Sequence, residues 1–156
     1  RGRSGEVVTS LTRERHVIES IIQRAFVCRI GLSDRGQPYV VPVCFGYADG
    51  VIYFHSSQTG RKLDILRRND AVCVEFDIDC DLVERERACR WSMMYRSVIG
   101  FGRASFVEGV EGKRRALDVI MAHYGGAPDD YDRETLRKMA VVRIELQDVT
   151  AKVAGY

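Results

Sequence analysis

The sequence predicts a mainly β, α+β domain: an antiparallel barrel with helices on its outside. Three observations lead there. Segments rich in Val, Ile, Tyr and Phe recur at residues 26–32, 37–47, 51–56, 71–78, 95–107 and 140–146. Tight-turn signals, Asp34-Arg35-Gly36 and Ala48-Asp49-Gly50, separate the first three segments. The other connections are short helical crossings or hairpins, an order that favours an antiparallel barrel over a doubly wound parallel sheet.

Each element has a local reason. Thr12 can cap a helix over residues 13–24, whose Val17, Ile18, Ile21, Ile22 and Ala25 share one face. His16 beside that stripe is expected on the surface. Residues 26–32, 37–47 and 51–56 then form an antiparallel meander. A short helix over 60–68 follows and stops at Asn69-Asp70 before the strand at 71–78. The charged stretch 79–91 reads as a long loop or a hairpin excursion. In the strand at 95–107, Gly100 and Gly102 allow a bend or bulge. A helix over 110–124 carries Ala116, Leu117, Ile120, Met121 and Tyr124 on one face and ends at Gly125-Gly126-Ala127-Pro128. Asp132 can cap a short helix over 133–139, and residues 140–146 close the barrel.

Bulk properties bound the function. One domain over residues 1–156 is expected, with residues 1–10 flexible. A net charge of +2 does not call for a nucleic-acid partner, and no apolar run is long enough for a membrane helix. Five widely spaced cysteines and no signal-peptide pattern point to a reducing, cytoplasmic setting. Cys80 and Cys89 flank the charged stretch without a metal-binding pattern, so no metal is expected.

The stretch from Tyr53 to Arg68 carries the densest chemistry. A strand ending at His55 crosses Ser56, Ser57 and Thr59 into a helix whose first turn bears Arg61 and Lys62. A helix N-terminus with two cations suits a phosphate. The alternative is a solvated basic helix face. The turn is not a Walker A loop, because His55 stands where its first Gly belongs and Leu63 where its Ser or Thr belongs. Pro42 inside a strong strand marks either an edge strand or a backbone surface facing a ligand. His55 is either structural or close to chemistry. Arg96 and Ser97 open a strand and could reach a phosphate or a ring edge.

Taken together, three pieces carry a resemblance: residues 39–47, residues 52–56 running to Gly60-Arg61-Lys62 and Asn69, and residues 95–102. In this order and spacing the chain resembles the FMN-binding split-barrel superfamily of pyridoxamine 5'-phosphate oxidase, and more closely its nitroimidazole-resistance (Nim-type) branch. The resemblance implies a six-stranded antiparallel split β-barrel with peripheral helices, and a homodimer holding FMN at the subunit interface. It implies that Arg61 and Lys62 bind the FMN phosphate, with His55 and Ser56 lining the phosphate and ribityl region. Val40, Val41, Pro42, Val43, Cys44 and Phe45 would run along the isoalloxazine ring. Ser97 and Arg96 would reach the cofactor from the fifth strand, from the second subunit if not their own. His55 would be the residue linked to reactivity. The chain ends without the Trp and Arg region expected for a pyridoxamine phosphate substrate, which argues against that reaction; Lys152 is a further candidate near a neighbouring phosphate. The expected function is an FMN-dependent oxidoreductase acting on a small molecule such as a nitro compound or a quinone. The alternative is a non-catalytic flavin-binding or haem-binding split barrel, with His55 or His123 as the haem ligand.

Overall fold

A computed structural model describes residues 6–156. Their elements are β1 (Thr9–Thr12), α1 (Arg15–Arg24), β2 (Cys28–Asp34), β3 (Gln37–Val43), β4 (Gly46–Ala48), β5 (Val51–Ser57), α2 (Arg61–Arg68), β6 (Ala71–Val83), β7 (Ser92–Phe106), α3 (Val110–His123), α4 (Arg133–Arg137) and β8 (Met139–Ala154), with a 3₁₀ turn over Ala88–Arg90. The strands form one sheet in the order β3-β2-β6-β7-β8-β5-β4, with β1 added against β8. Every pairing is antiparallel. The expected six strands are present, and the short β1 and β4 bring the sheet to eight.

The long strands explain how one sheet wraps a core. β8 pairs with β7 along nearly its whole length, while its other edge pairs first with β5 and then with β1. The β7–β8 register shifts between Phe101 and Gly102. A Cβ at Gly102 would lie 2.3 Å from the Glu145 carbonyl oxygen, so the strands approach there only without a side chain. The side chains turned inward, among them Val72, Val74, Phe76, Val98, Phe54 and Ile144, are buried together with Ile21 and Ile22 of α1 and Leu63 and Ile65 of α2. Burying each such side chain contributes about 1.5–3 kcal/mol.

The barrel is split, and the reason sits at Cys44-Phe45. β3 and β4 lie at opposite edges of the sheet, joined by these two residues rather than by a ladder. The sequence suggests one strand over 37–47, but the chain turns inward at Phe45. The Phe45 ring is fully buried against Phe76 and His123, with ring centroids 5.0 and 4.2 Å away. Its N–H donates to the Tyr124 hydroxyl at 3.1 Å instead of to a strand, and that hydroxyl donates to the Phe26 carbonyl at 2.8 Å.

Other boundaries move for identifiable reasons. Residues 1–5 of the stretch expected to be flexible lie outside the described residues, but Thr9 and Ser10 pair with Ala154 and Val153. Glu14 rather than Thr12 caps α1; the Thr12 hydroxyl accepts from the Glu14 N–H at 3.1 Å. Asp132 caps α4 as expected, accepting from the Thr135 N–H at 2.9 Å. The charged excursion is a hairpin that extends β6 to Val83 and starts β7 at Ser92, beyond a bulge between Ile78 and Asp81. β8 runs on to Ala154 because β1 and β7 supply partners for its second half.

Candidate functional site

Helix α2 starts at Gly60, whose φ of 142° and ψ of 157° belong almost to glycine alone. No side chain caps this N-terminus, and a Cβ on Gly60 would meet nothing within 4 Å. The N–H groups of Leu63 and Asp64 turn back to the Gly60 carbonyl at 3.0 and 3.1 Å. Those of Arg61 and Lys62 precede the first intrahelical bonds and point outward. Leu63, Ile65 and Leu66 bury one face of the helix, which fixes where the N-terminus points.

The charges at this end are set against the helix dipole. Arg61 and Lys62 stand at the positive end, where local electrostatics favours carboxylates. Neither has a carboxylate partner among the described residues. The Arg61 guanidinium lies over the Tyr39 ring, 4.5 Å from its centroid, which ties α2 to β3. His55 on β5 is accessible to solvent. Desolvation, and then the nearby Lys62 ammonium, hold its imidazole below the ordinary range, so it is neutral at pH 7. The Ser57 hydroxyl donates to the Thr59 carbonyl at 2.9 Å and shapes the loop, while Ser56 is half-buried.

β3 supplies the neighbouring surface. It is the edge strand of the sheet, so its outward backbone groups have no strand partner and Pro42 costs no ladder bond. Val41 and Val43 pack against the core, whereas Val40, Pro42 and Cys44 are exposed. Phe45 itself is buried, and its N–H is held by Tyr124.

Strand register links β3 to Ser97. Residues paired across a sheet share a face. Val40, Gly31, Cys73 and Phe101 form one row, and Pro42, Arg29, Glu75 and Ile99 the next. Ser97, paired with Asp77, follows on the same outer face. Val40, Ile99 and Phe101 are 64%, 47% and 54% exposed there, an apolar band rimmed by Arg29, Glu75 and Asp77. Alternation sends the adjacent Arg96 to the opposite face.

Arg96 is already engaged. Its guanidinium meets Asp79 at 2.5 Å and lies over the Tyr156 ring, 4.0 Å from the centroid. Arg24 binds the other oxygen of the same carboxylate at 2.5 Å, and both arginines hold the Asp79 carboxyl below its usual range. Arg96 pairs with Val153 of β8 and His55 with Val141. Those positions are separated by roughly 40 Å of strand at the usual rise per residue. One chain therefore brings together Arg61, Lys62, His55, Ser56 and the start of β3, but not Arg96 or Ser97.

Two other candidates are placed away from α2. Lys152 lies over the Tyr95 ring, 5.4 Å from its centroid. His123 is wedged against Phe45, and its Nε2 lies 2.7 Å from the Ala25 carbonyl oxygen. Sequence reasoning missed Tyr39 beneath Arg61 and Tyr124 at the split. Neither has a local signal, since both contacts join residues distant along the chain.

Comparison with known proteins identifies the family and the fold. The family described as pyridoxamine 5'-phosphate oxidase matches residues 14–153. A structure from Bacteroides thetaiotaomicron, of a candidate 5-nitroimidazole antibiotic resistance protein, is 37% identical with a TM-score of 0.85, covering 97% of this chain and 90% of that one. A FAD- and haem-binding protein from Mycobacterium smegmatis shares the fold at 17% identity and a TM-score of 0.85, covering 94% of this chain and 74% of that one. A flavocytochrome from Azotobacter vinelandii shares it at 20% identity and a TM-score of 0.75, covering 92% and 68%. Comparison with curated proteins gives no match. A match over nearly the whole chain, together with an open split barrel, places this chain in the pyridoxamine 5'-phosphate oxidase-like family of flavin-binding split barrels, on its nitroimidazole-resistance (Nim-like) side.

Proposed function

We propose that this chain is a homodimeric FMN-dependent oxidoreductase acting on a small molecule such as a nitro compound or a quinone. The observation that carries the proposal is the α2 N-terminus, where two cations without carboxylate partners stand beside uncapped N–H groups and an open strand edge. An arrangement that is locally unfavourable without an anion becomes favourable with one. The residues present fit a flavin monophosphate: a terminal phosphate for Arg61 and Lys62, and a flat ring for the edge of β3.

When bound, the flavin supplies the electron transfer, and the protein supplies its placement and electrostatics. Arg61 and Lys62 neutralise the phosphate. Ser56 offers a hydroxyl to the ribityl chain. Val40 to Cys44 present backbone groups and apolar surface to the ring. His55, neutral at pH 7, can donate or accept one hydrogen bond at the edge of the site. A second copy laid on the outer sheet face would cover Val40, Ile99 and Phe101 and bring its own Ser97 toward the first copy's cleft. Arg96, clamped by Asp79 on the other face, is better suited to holding the scaffold. The 37% identical structure, a candidate 5-nitroimidazole resistance protein, favours a nitro compound among small-molecule acceptors.

The test is the absorbance of the purified protein together with its mass by light scattering. A flavin spectrum, FMN on extraction and a dimer mass are expected. A colourless protein that takes up no FMN on titration would overturn the cofactor assignment, and a flavin-loaded monomer would overturn the dimer.

A further inference from the structure

The β6–β7 hairpin carries chemistry that the flavin site leaves unused. Beyond the Ile78/Asp81 bulge the strands run on to Val83 and Ser92, and their connection borders a cavity of about 930 Å³. Arg87, Arg90, Trp91, Cys89, Glu86 and Glu6 line it. A volume of this size lies within the range of small-molecule sites.

The backbone arranges the cationic wall. The Arg90 N–H donates to the Arg87 carbonyl at 2.9 Å, and the Trp91 N–H to the Ala88 carbonyl at 3.1 Å, forming a 3₁₀ turn. Arg87, in extended backbone just before the turn, and Arg90 at its end both line the cavity. Neither guanidinium has a carboxylate partner among the described residues. The adjacent Trp91 is fixed by its indole N–H, which donates to the Arg85 carbonyl at 2.8 Å, yet it remains 47% exposed.

Paired guanidinium groups recognise phosphate oxygens through forked hydrogen bonds. An anchored, half-exposed indole offers a face on which a purine base stacks. Glu6 and Glu86 oppose a bare polyanion, but they can accept hydrogen bonds from ribose hydroxyls or an exocyclic amino group. We propose that the hairpin pocket binds a phosphate-bearing purine nucleotide, with Arg87 and Arg90 on the phosphate and Trp91 on the base.

Trp91 is the single tryptophan of the chain, so in flavin-free protein its fluorescence reports on this pocket. ADP titrated into the purified protein should change that fluorescence saturably, whereas inorganic phosphate should bind far more weakly. The R87A/R90A variant should lose about tenfold or more in ADP affinity, as expected for charge-assisted hydrogen bonds. W91F, followed by calorimetry, should also bind ADP more weakly while keeping a native circular dichroism spectrum. No saturable response to ADP, wild-type affinity in both variants, or a response to FMN in place of ADP would overturn the pocket. Flavin absorbance of the same samples separates the two assignments. Protein that carries flavin but ignores ADP removes the nucleotide pocket alone. Protein that binds ADP without flavin keeps the pocket and removes the flavin assignment alone.

Discussion

The two ends of helix α2 each carry a pair of cations, and they use them differently. At the C-terminal end Arg67 donates to Asp64 at 3.2 Å and to the Gln58 carbonyl at 3.1 Å, and lies over Phe106. Arg68 binds Asp34 at 3.0 Å, while Asn69 donates to the Ser33 carbonyl at 3.0 Å. The Arg68 and Asn69 contacts fasten the helix to the end of β2 and those of Arg67 hold it to the preceding loop and to β7, and the helix dipole supports cations there. At the N-terminal end Arg61 has an aromatic ring and Lys62 has no ion-pair partner among the described residues. Similar side chains on one short helix thus divide into a pair spent on the scaffold and a pair left for an anion. Basic composition alone does not mark a binding site; the absence of internal partners at an unfavourable end of the dipole does.

The strongest way to break this contrast is to remove the N-terminal pair. R61A/K62A should weaken FMN binding by at least ~1.5 kcal/mol, and by ~3 kcal/mol or more if each cation holds its own charged hydrogen bond. The melting temperature of the flavin-free variant should change little, because losing the Arg61–Tyr39 contact is offset by removing two cations from the positive end of the helix dipole. A fluorescence titration with FMN and a thermal melt check the two halves, and unchanged FMN affinity would end the phosphate assignment. Next in size, Gly60→Ala meets no clash but forces alanine into a backbone region costing about 1–3 kcal/mol. It should lower stability in a denaturant titration and weaken FMN binding as well, because the free N–H groups shift with it.

The C-terminal pair gives the complementary result. R67A/R68A should cost about 1 kcal/mol of stability, since exposed ion pairs contribute little, and leave FMN affinity within about twofold. A larger loss of affinity than of stability would erase the distinction between the two ends. The smallest effect concerns pH. Because the folded protein holds His55 neutral below the ordinary range, the unfolded chain takes up the proton first. The stability contribution is full above the unfolded pKa of about 6.5 and is lost as pH falls through the lower folded pKa. Lys62→Ala should raise the His55 pKa toward the ordinary range, read by NMR titration of the imidazole. A bound phosphate should move it in the same direction.

Local patterns made much of this molecule legible before any coordinates. The Val- and Ile-rich runs of β2 and β6, the Asp34-Arg35-Gly36 and Ala48-Asp49-Gly50 turns and the Asp132 cap follow from short-range physics, and the structure reproduces them. The basic turn at Arg61-Lys62 was visible for the same reason, because Gly60 and the Leu63, Ile65 and Leu66 face define a helix start within a few residues. The break at Cys44-Phe45 was not visible, because Tyr124, far along the chain, supplies the hydrogen bond that replaces the ladder. The cofactor roles of Arg96 and Ser97 look equivalent in sequence, but alternation separates their faces and Asp79 occupies one of them.

The sequence by itself determined the β-rich, hairpin-connected architecture and the presence of a cationic helix start, because turn chemistry, hydrophobic period and helix signals act over a few residues. Tertiary structure alone decided which cations are consumed by carboxylates, which strand is an edge, and which side chains share the outer face of the sheet. Those outcomes depend on contacts between residues tens of positions apart, such as Arg68 with Asp34 and Arg96 with Asp79, and on a register that the curl of the sheet sets as a whole.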